Sequence, residues 1–255
     1  MRGQNMKQLI AANWKMHKTA EEAGKTARQL LNCVPAAPTG TEIVIFPPFT
    51  AIEAVKAAVQ GKADFSVGAQ NMYPAQEGAF TGEISPAMLL AAGCVYVLAG
   101  HSERRHIFGE SNELIGQKVA LALCTGLRAV LCIGETLAQR EAGELADTLH
   151  LQLLTGLKDL PPACNPAEIV IAYEPVWAIG TGKVAGPDEI VQAHALVRKY
   201  LKEFLPQHSS EVRILYGGSV KAENAAEIKK LDNVDGLLVG GASLQAENFS
   251  KIITA

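Results

Sequence analysis

Residues 172–183, AYEPVWAIGTGK, place a lone carboxylate, Glu174, between an apolar run and a stiff Pro175-Val176-Trp177, with a pliable Gly180-Thr181-Gly182 beyond. Partly desolvated by Trp177 and by a segment that closes over it, such a carboxylate suits a general base. Three other groups complement it. Lys15 offers fixed positive charge for an oxyanion. His101 precedes Ser102-Glu103, which reads as a helix start, and a positive helix end favours a neutral ring that donates a hydrogen bond. Ser219, Gly240 and Gly241 sit in glycine-rich turns whose backbone N–H groups suit a phosphate. The set describes an anion site beside a proton-transfer site.

Positioning such a set requires elements that end on one rim. Short, β-rich apolar runs occupy residues 8–12, 42–46, 65–69, 95–99, 129–133, 169–173, 212–216 and 236–239. Their apolar character is nearly continuous, as in parallel strands covered on both faces. Helix signals fall between them. Ser85-Pro86 pairs a cap with an N1 proline, and Gly186-Pro187-Asp188-Glu189 opens an amphipathic helix with Ile190, Val197, Leu201 and Phe204 on one face. Eight such alternations in 255 residues predict an α/β fold, a (β/α)₈ barrel forming one domain over residues 1–255, with about residues 1–6 a short extension. In that architecture chemistry sits at the carboxyl ends of the strands. There stand Asn13 and Lys15, Gln70 and Asn71, His101, Glu135, Glu174, Gly217-Gly218-Ser219 and Gly240-Gly241. Glu135 also reads as the cap of the helix that follows it.

Composition narrows the function. A net charge of −3 supplies no basic field for nucleic acid or anionic lipid, and no stretch has the apolar length of a membrane span. The start has no secretory pattern, and five cysteines without a C-x-x-C pair fit a reducing cytoplasm. The sequon at Asn248 is therefore a chance match. Gly24-Lys25-Thr26 lacks the first glycine of a phosphate loop and lies in a helical pattern over residues 20–31. The glycines at 180 and 182 imitate a dinucleotide fingerprint but start too far beyond the strand and lack the acid that should follow. The six histidines show no metal-ligand spacing, and no nucleophile elbow occurs, so neither a metal site nor a covalent nucleophile is expected. His17, His150, His194 and His208 read as ordinary surface or helix residues, and His106 as structural.

NWKM (residues 13–16), GHSERR (100–105), AYEPVWAIGTG (172–182), YGGSV (216–220) and VGGASL (239–244) together resemble the triosephosphate isomerase family, nearly end to end. The resemblance implies a TIM barrel and a cofactor-independent interconversion of dihydroxyacetone phosphate and glyceraldehyde 3-phosphate through an enediolate, in glycolysis and gluconeogenesis. It implies Glu174 as the base and His101 as the group that polarises the carbonyl and shuttles protons between oxygens. Lys15 and Asn13 would stabilise the oxyanion, Glu103 would buttress Lys15, and Gly180, Ser219, Gly240 and Gly241 would hold the phosphate. Residues 175–185 would form a lid, with Ile179 and Leu238 covering the carboxylate and Tyr216 and Ser219 latching the closed loop. A closed site protects an enediolate phosphate from eliminating phosphate. The resemblance also implies a homodimer, formed through the loop over residues 68–85 with Thr81 near its tip.

Two positions depart from the family pattern. His17 stands where many members have Asn, and Ala99 where a larger aliphatic residue is common. Other readings of the same barrel are a Schiff-base aldolase, a non-catalytic phosphate-binding protein, and an isomerase of another small phosphorylated sugar. The aldolase needs a lysine at the end of a strand, and the only one, Lys15, belongs to a matched motif.

Overall fold

The computed structural model describes residues 6–160, 162, 165–179 and 183–255. Among these, eight parallel strands follow one another: β1 (Gln8–Asn13), β2 (Thr41–Phe46), β3 (Phe65–Ala69), β4 (Tyr96–Ala99), β5 (Arg128–Ile133), β6 (Ile169–Tyr173), β7 (Arg213–Tyr216) and β8 (Gly236–Val239). Each pairs with its successor, and β8 returns to β1 through Leu9–Gly236 to Ala12–Val239, so the sheet closes into a barrel. All eight expected runs are strands, with some ends displaced by a residue.

Among the described residues ten α-helices wrap the outside: α1 (Ala20–Cys33), α2 (Ile52–Val59), α3 (Pro86–Ala91), α4 (Ser102–His106), α5 (Asn112–Thr125), α6 (Leu137–Glu141), α7 (Leu145–Leu157), α8 (Pro187–Phe204), α9 (Ala222–Ile228) and α10 (Ala246–Thr254). Local chemistry starts them. Thr19 and Glu22 form a capping box on α1, and Ser85 accepts from the Met88 N–H ahead of Pro86 in α3. In α8, Ile190, Val197 and Leu201 are buried, while Phe204 packs at the margin of the core.

Strand alternation divides the core in two. Leu9, Val44, Phe46, Leu98, Val130 and Leu215 fill the barrel interior, whereas Ile10, Ile43, Ile45, Val97, Ile171 and Ile214 face the helices. Burial on both faces is why the strands read as continuous apolar runs. At the strand beginnings the interior turns polar. The Tyr96 hydroxyl donates to Glu42 Oε1 at 2.8 Å and accepts from Arg213 at 2.7 Å and Arg128 at 2.9 Å. Arg213 also reaches Glu42 Oε2 at 2.8 Å. Burial opposes ionisation of Glu42, but the two guanidinium groups outweigh it and hold the carboxyl below its ordinary range.

His194 departs from expectation: it lies on α8 but is wholly buried, donating Nδ1–H to the Asn233 carbonyl at 2.9 Å. No helix among the described residues is long and apolar enough to cross a membrane. No group of three or more potential metal ligands occurs among them either.

Candidate active site

Strand β1 delivers Asn13, buried, and Lys15, which leaves the strand with a φ of 49°. A left-handed lysine is uncommon and must be held by its surroundings. The Asn13 side chain accepts from the Lys15 backbone N–H at 3.0 Å, and Gln70, beyond β3, donates to the Lys15 carbonyl at 2.8 Å and to the Phe46 carbonyl at 2.9 Å. So anchored, Lys15 extends its ammonium to Glu103 Oε1 at 2.7 Å. Burial works against ionisation of Glu103, yet Lys15 prevails and keeps that carboxyl below its ordinary range.

His101 is the N-cap of α4, and its Nδ1 accepts the Glu103 backbone N–H at 3.3 Å. An accepting Nδ1 carries no proton, so this bond selects the tautomer protonated at Nε2. Nε2 lies 3.1 Å from Glu174 Oε1. The other carboxylate oxygen accepts the Ser102 backbone N–H at 2.9 Å, at the first turn of the same helix. Glu174 is 3% exposed and rests against Cys132, whose thiol is pushed well up by burial and by that adjacent carboxylate. Two glycines make room for it. A Cβ at Gly134 would sit 1.8 Å from the Glu174 carbonyl oxygen, and one at Gly217 would sit 2.9 Å from its Cγ.

Asn13, Lys15, His101 and Glu174 line one cavity of about 310 Å³, together with Ile179, Ser219, Leu238, Gly240 and Gly241. Gly241–Ser243 is a single 3-10 turn whose N-terminus borders the cavity, and the Ser243 hydroxyl donates to the Gly240 carbonyl at 2.7 Å. A Cβ on Gly240 would lie 3.9 Å from the Lys15 ammonium, so a glycine turn and a cation meet at one end of the cavity. The buried indole of Trp14 donates to the Ser243 carbonyl at 3.1 Å and pins this turn to the chain after β1. Gly180, expected at the phosphate, lies outside the described residues.

Glu135 does not cap α6. Thr136 takes that position in a capping box with Gln139, which leaves the wholly buried Glu135 carboxylate to accept from Trp177 Nε1 at 2.7 Å and Tyr173 at 3.1 Å. Burial pushes this carboxyl up, with the indole donor opposing. The backbone joins in, since the Val176 N–H donates to the Glu135 carbonyl at 3.1 Å. The Tyr216 hydroxyl is buried beside Gly218 and Pro175.

A family model described as triosephosphate isomerase matches residues 8–255. The chain belongs to the triosephosphate isomerase family. It is similar to proteins of that name from Nitratidesulfovibrio vulgaris strain DP4, 58% identical over 98% of this chain and all of the relative, and from Oleidesulfovibrio alaskensis, 57% identical over the same shares. A protein of that name from Aquifex aeolicus is 46% identical over 97% of this chain and 99% of its own length. The carboxyl ends of the eight strands share one rim of the barrel. The structure brings Asn13, Lys15, His101, Glu103, Glu174, Ser219, Gly240 and Gly241 to that rim. Sequence reasoning passed over Ser102, Cys132 and the anchoring role of Gln70. Gln70 was visible as a polar residue at the end of a strand, but its partners are backbone carbonyls, which leave no trace in residue type.

Proposed function

We propose that this cavity interconverts dihydroxyacetone phosphate and glyceraldehyde 3-phosphate through an enediolate, with Glu174 as the base. The observation that carries the reading is the convergence of Glu174, His101 and Lys15 on one cavity floored by Gly240 and Gly241. The substrate phosphate would lie against the backbone N–H groups of Ser219, Gly240 and Gly241, with Gly180 completing the grip and Lys15 supplying charge. Glu174 takes the proton from the carbon beside the carbonyl. Electrons move onto the carbonyl oxygen, where the Nε2–H of His101, the Lys15 ammonium and Asn13 stabilise them. Glu174 returns its proton to the neighbouring carbon while His101 carries protons between the two oxygens.

Both Glu174 oxygens are engaged here, one by Ser102 and one by His101. Catalysis therefore requires the carboxylate to leave the α4 terminus, which frees Nε2–H for substrate. Because Glu174 directly precedes Pro175, movement of residues 175–185 carries the base with it, with Ile179 and Leu238 as apolar cover and Tyr216 and Ser219 as the latch. Glu103 holds Lys15 throughout.

A homodimer completes the reading. Met16, Phe49 and Phe108 are exposed around a second cavity of about 180 Å³ that shares Asn13, Lys15 and His101 with the first. The loop beyond β3 folds on itself through Tyr73 and Phe80, whose rings lie 4.4 Å apart, and presents Thr81 to solvent. A second copy's loop would fill that cavity. His17 is exposed on the same rim and would tune the contact, whereas Ala99 is buried within β4. The unpaired thiols of Cys33, Cys94, Cys124 and Cys132 suit a cytoplasmic enzyme.

Purified protein is assayed with glyceraldehyde 3-phosphate in chelator, with the product coupled to a dehydrogenase that consumes dihydroxyacetone phosphate. Fast turnover is expected, from a dimer by light scattering. A folded dimer without turnover overturns the assignment of Glu174 in favour of a binding protein or an isomerase of another sugar.

A further inference from the structure

Arg140, on the short helix α6, touches no part of the cavity yet stands between both flanks of the segment that follows Glu174. On one side its guanidinium lies 3.5 Å from Glu135 Oε1 and 5.5 Å from the centre of the Trp177 ring. Glu135 in turn holds the Trp177 indole and, through its carbonyl, the Val176 N–H. On the other side Arg140 lies 3.5 Å from Glu189 Oε1, and Glu189 Oε2 accepts the Gly186 N–H at 2.8 Å, immediately after residue 185. Glu189 thus divides its two oxygens between the backbone beyond the segment and the arginine. One planar cation links the two ends of residues 175–185.

Neither ionic contact is short, and Glu189 is 41% exposed, so the Arg140–Glu189 pair alone is worth little. The geometry of the fork matters more. A guanidinium can face two carboxylates in one plane while its face covers an indole; an ammonium cannot. Glu135 also needs the cation, since its carboxylate is wholly buried and Oε2 has no partner among the described residues.

We propose that Arg140 is a positioning residue for the reaction: it fixes the spacing between Trp177 and Gly186 and thereby sets how the segment carrying Glu174 seats over the substrate. The proposal rests on Glu174 being the base. A slack tie lets the segment close out of register, leaving the carboxylate misplaced and the enediolate open to water. Misplacement lowers kcat. Exposure lets the enediolate expel its phosphate, the C–O bond breaking with its electron pair on inorganic phosphate while the carbon fragment tautomerises to methylglyoxal.

The test compares Arg140→Met, Glu189→Gln and the double variant with the unmodified enzyme, reading kcat, KM, inorganic phosphate released per isomerisation and the melting midpoint. Arg140→Met is expected to lower kcat about tenfold and raise phosphate release per turnover severalfold. Glu189→Gln, at an exposed site where folding is not at risk, should lower kcat about threefold, and the double variant should be no slower than Arg140→Met because both remove one link. Unchanged kcat and phosphate release in Arg140→Met overturn the proposal, as do strictly additive losses. A lower melting midpoint with unaltered phosphate release assigns Arg140 to stability alone and also overturns it. Failure of the unmodified enzyme to isomerise strikes the assignment of Glu174 instead.

Discussion

The two ends of the barrel carry polar clusters of opposite kinds. At the strand beginnings, the side chains of Glu42, Tyr96, Arg128 and Arg213 satisfy one another, with a phenol oxygen donating once and accepting twice. At the strand ends, Lys15 is held at a φ of 49°, the Glu174 carboxylate is parked on a helix terminus, and Glu135 presents a buried oxygen without a partner among the described residues. A saturated network has nothing left to offer a ligand and acts on stability. An unsaturated one holds capacity in reserve and acts on chemistry, at some cost to the fold.

Replacing Glu174 by Gln tests the rim most severely. We expect kcat to fall by between about 10² and 10⁴-fold, with the melting midpoint unchanged or raised because a buried charge has gone. Lost stability with retained turnover would erase the distinction between the ends. Next in size is His194, outside the wall where β6 and β7 reach the rim, its ring edge-on to Tyr173 at 5.7 Å. Burial pushes this imidazole down to about 4, from an ordinary 6.5. The unfolded chain takes up a proton as pH falls below 6.5 while the folded chain resists until about 4, so the neutral ring's contribution is present above 6.5 and lost on acidification. That loss is about 3 kcal/mol across the window, read from denaturant midpoints at a series of pH values, and His194→Gln should flatten it. A smaller effect is expected at the floor. Tyr96→Phe leaves two guanidinium groups and a carboxylate short of a partner, costing about 2 kcal/mol of stability, with kcat and KM unchanged in steady-state assays. A changed kcat would mean that the two ends communicate.

The same contrast decided what could be read in advance. The rim was legible because each of its groups directly follows an apolar run, and a parallel barrel sends all such positions to one side. The floor was not, because Arg213 and Glu42 are 171 residues apart and meet only across a closed sheet. Nothing local marks them beyond a charge at the first or second place of a strand. Glu135 was misread for the opposite reason: a local rule fitted it, but Thr136 with Gln139 fitted that rule better and released the carboxylate for Trp177. His194 shows the limit of judging a polar residue by type, since a ring that finds one carbonyl can be buried whole.

The buried hydrogen bond from Trp14 to Ser243 spans 229 positions of sequence. A chain emerging from the ribosome presents Asn13 and Lys15 long before Gly240 and Gly241. The wall stays open between β1 and β8 until that late segment arrives. Turnover in a nascent chain would therefore report the moment of barrel closure, and polypeptides stalled before β8 would be silent however well their earlier units had formed.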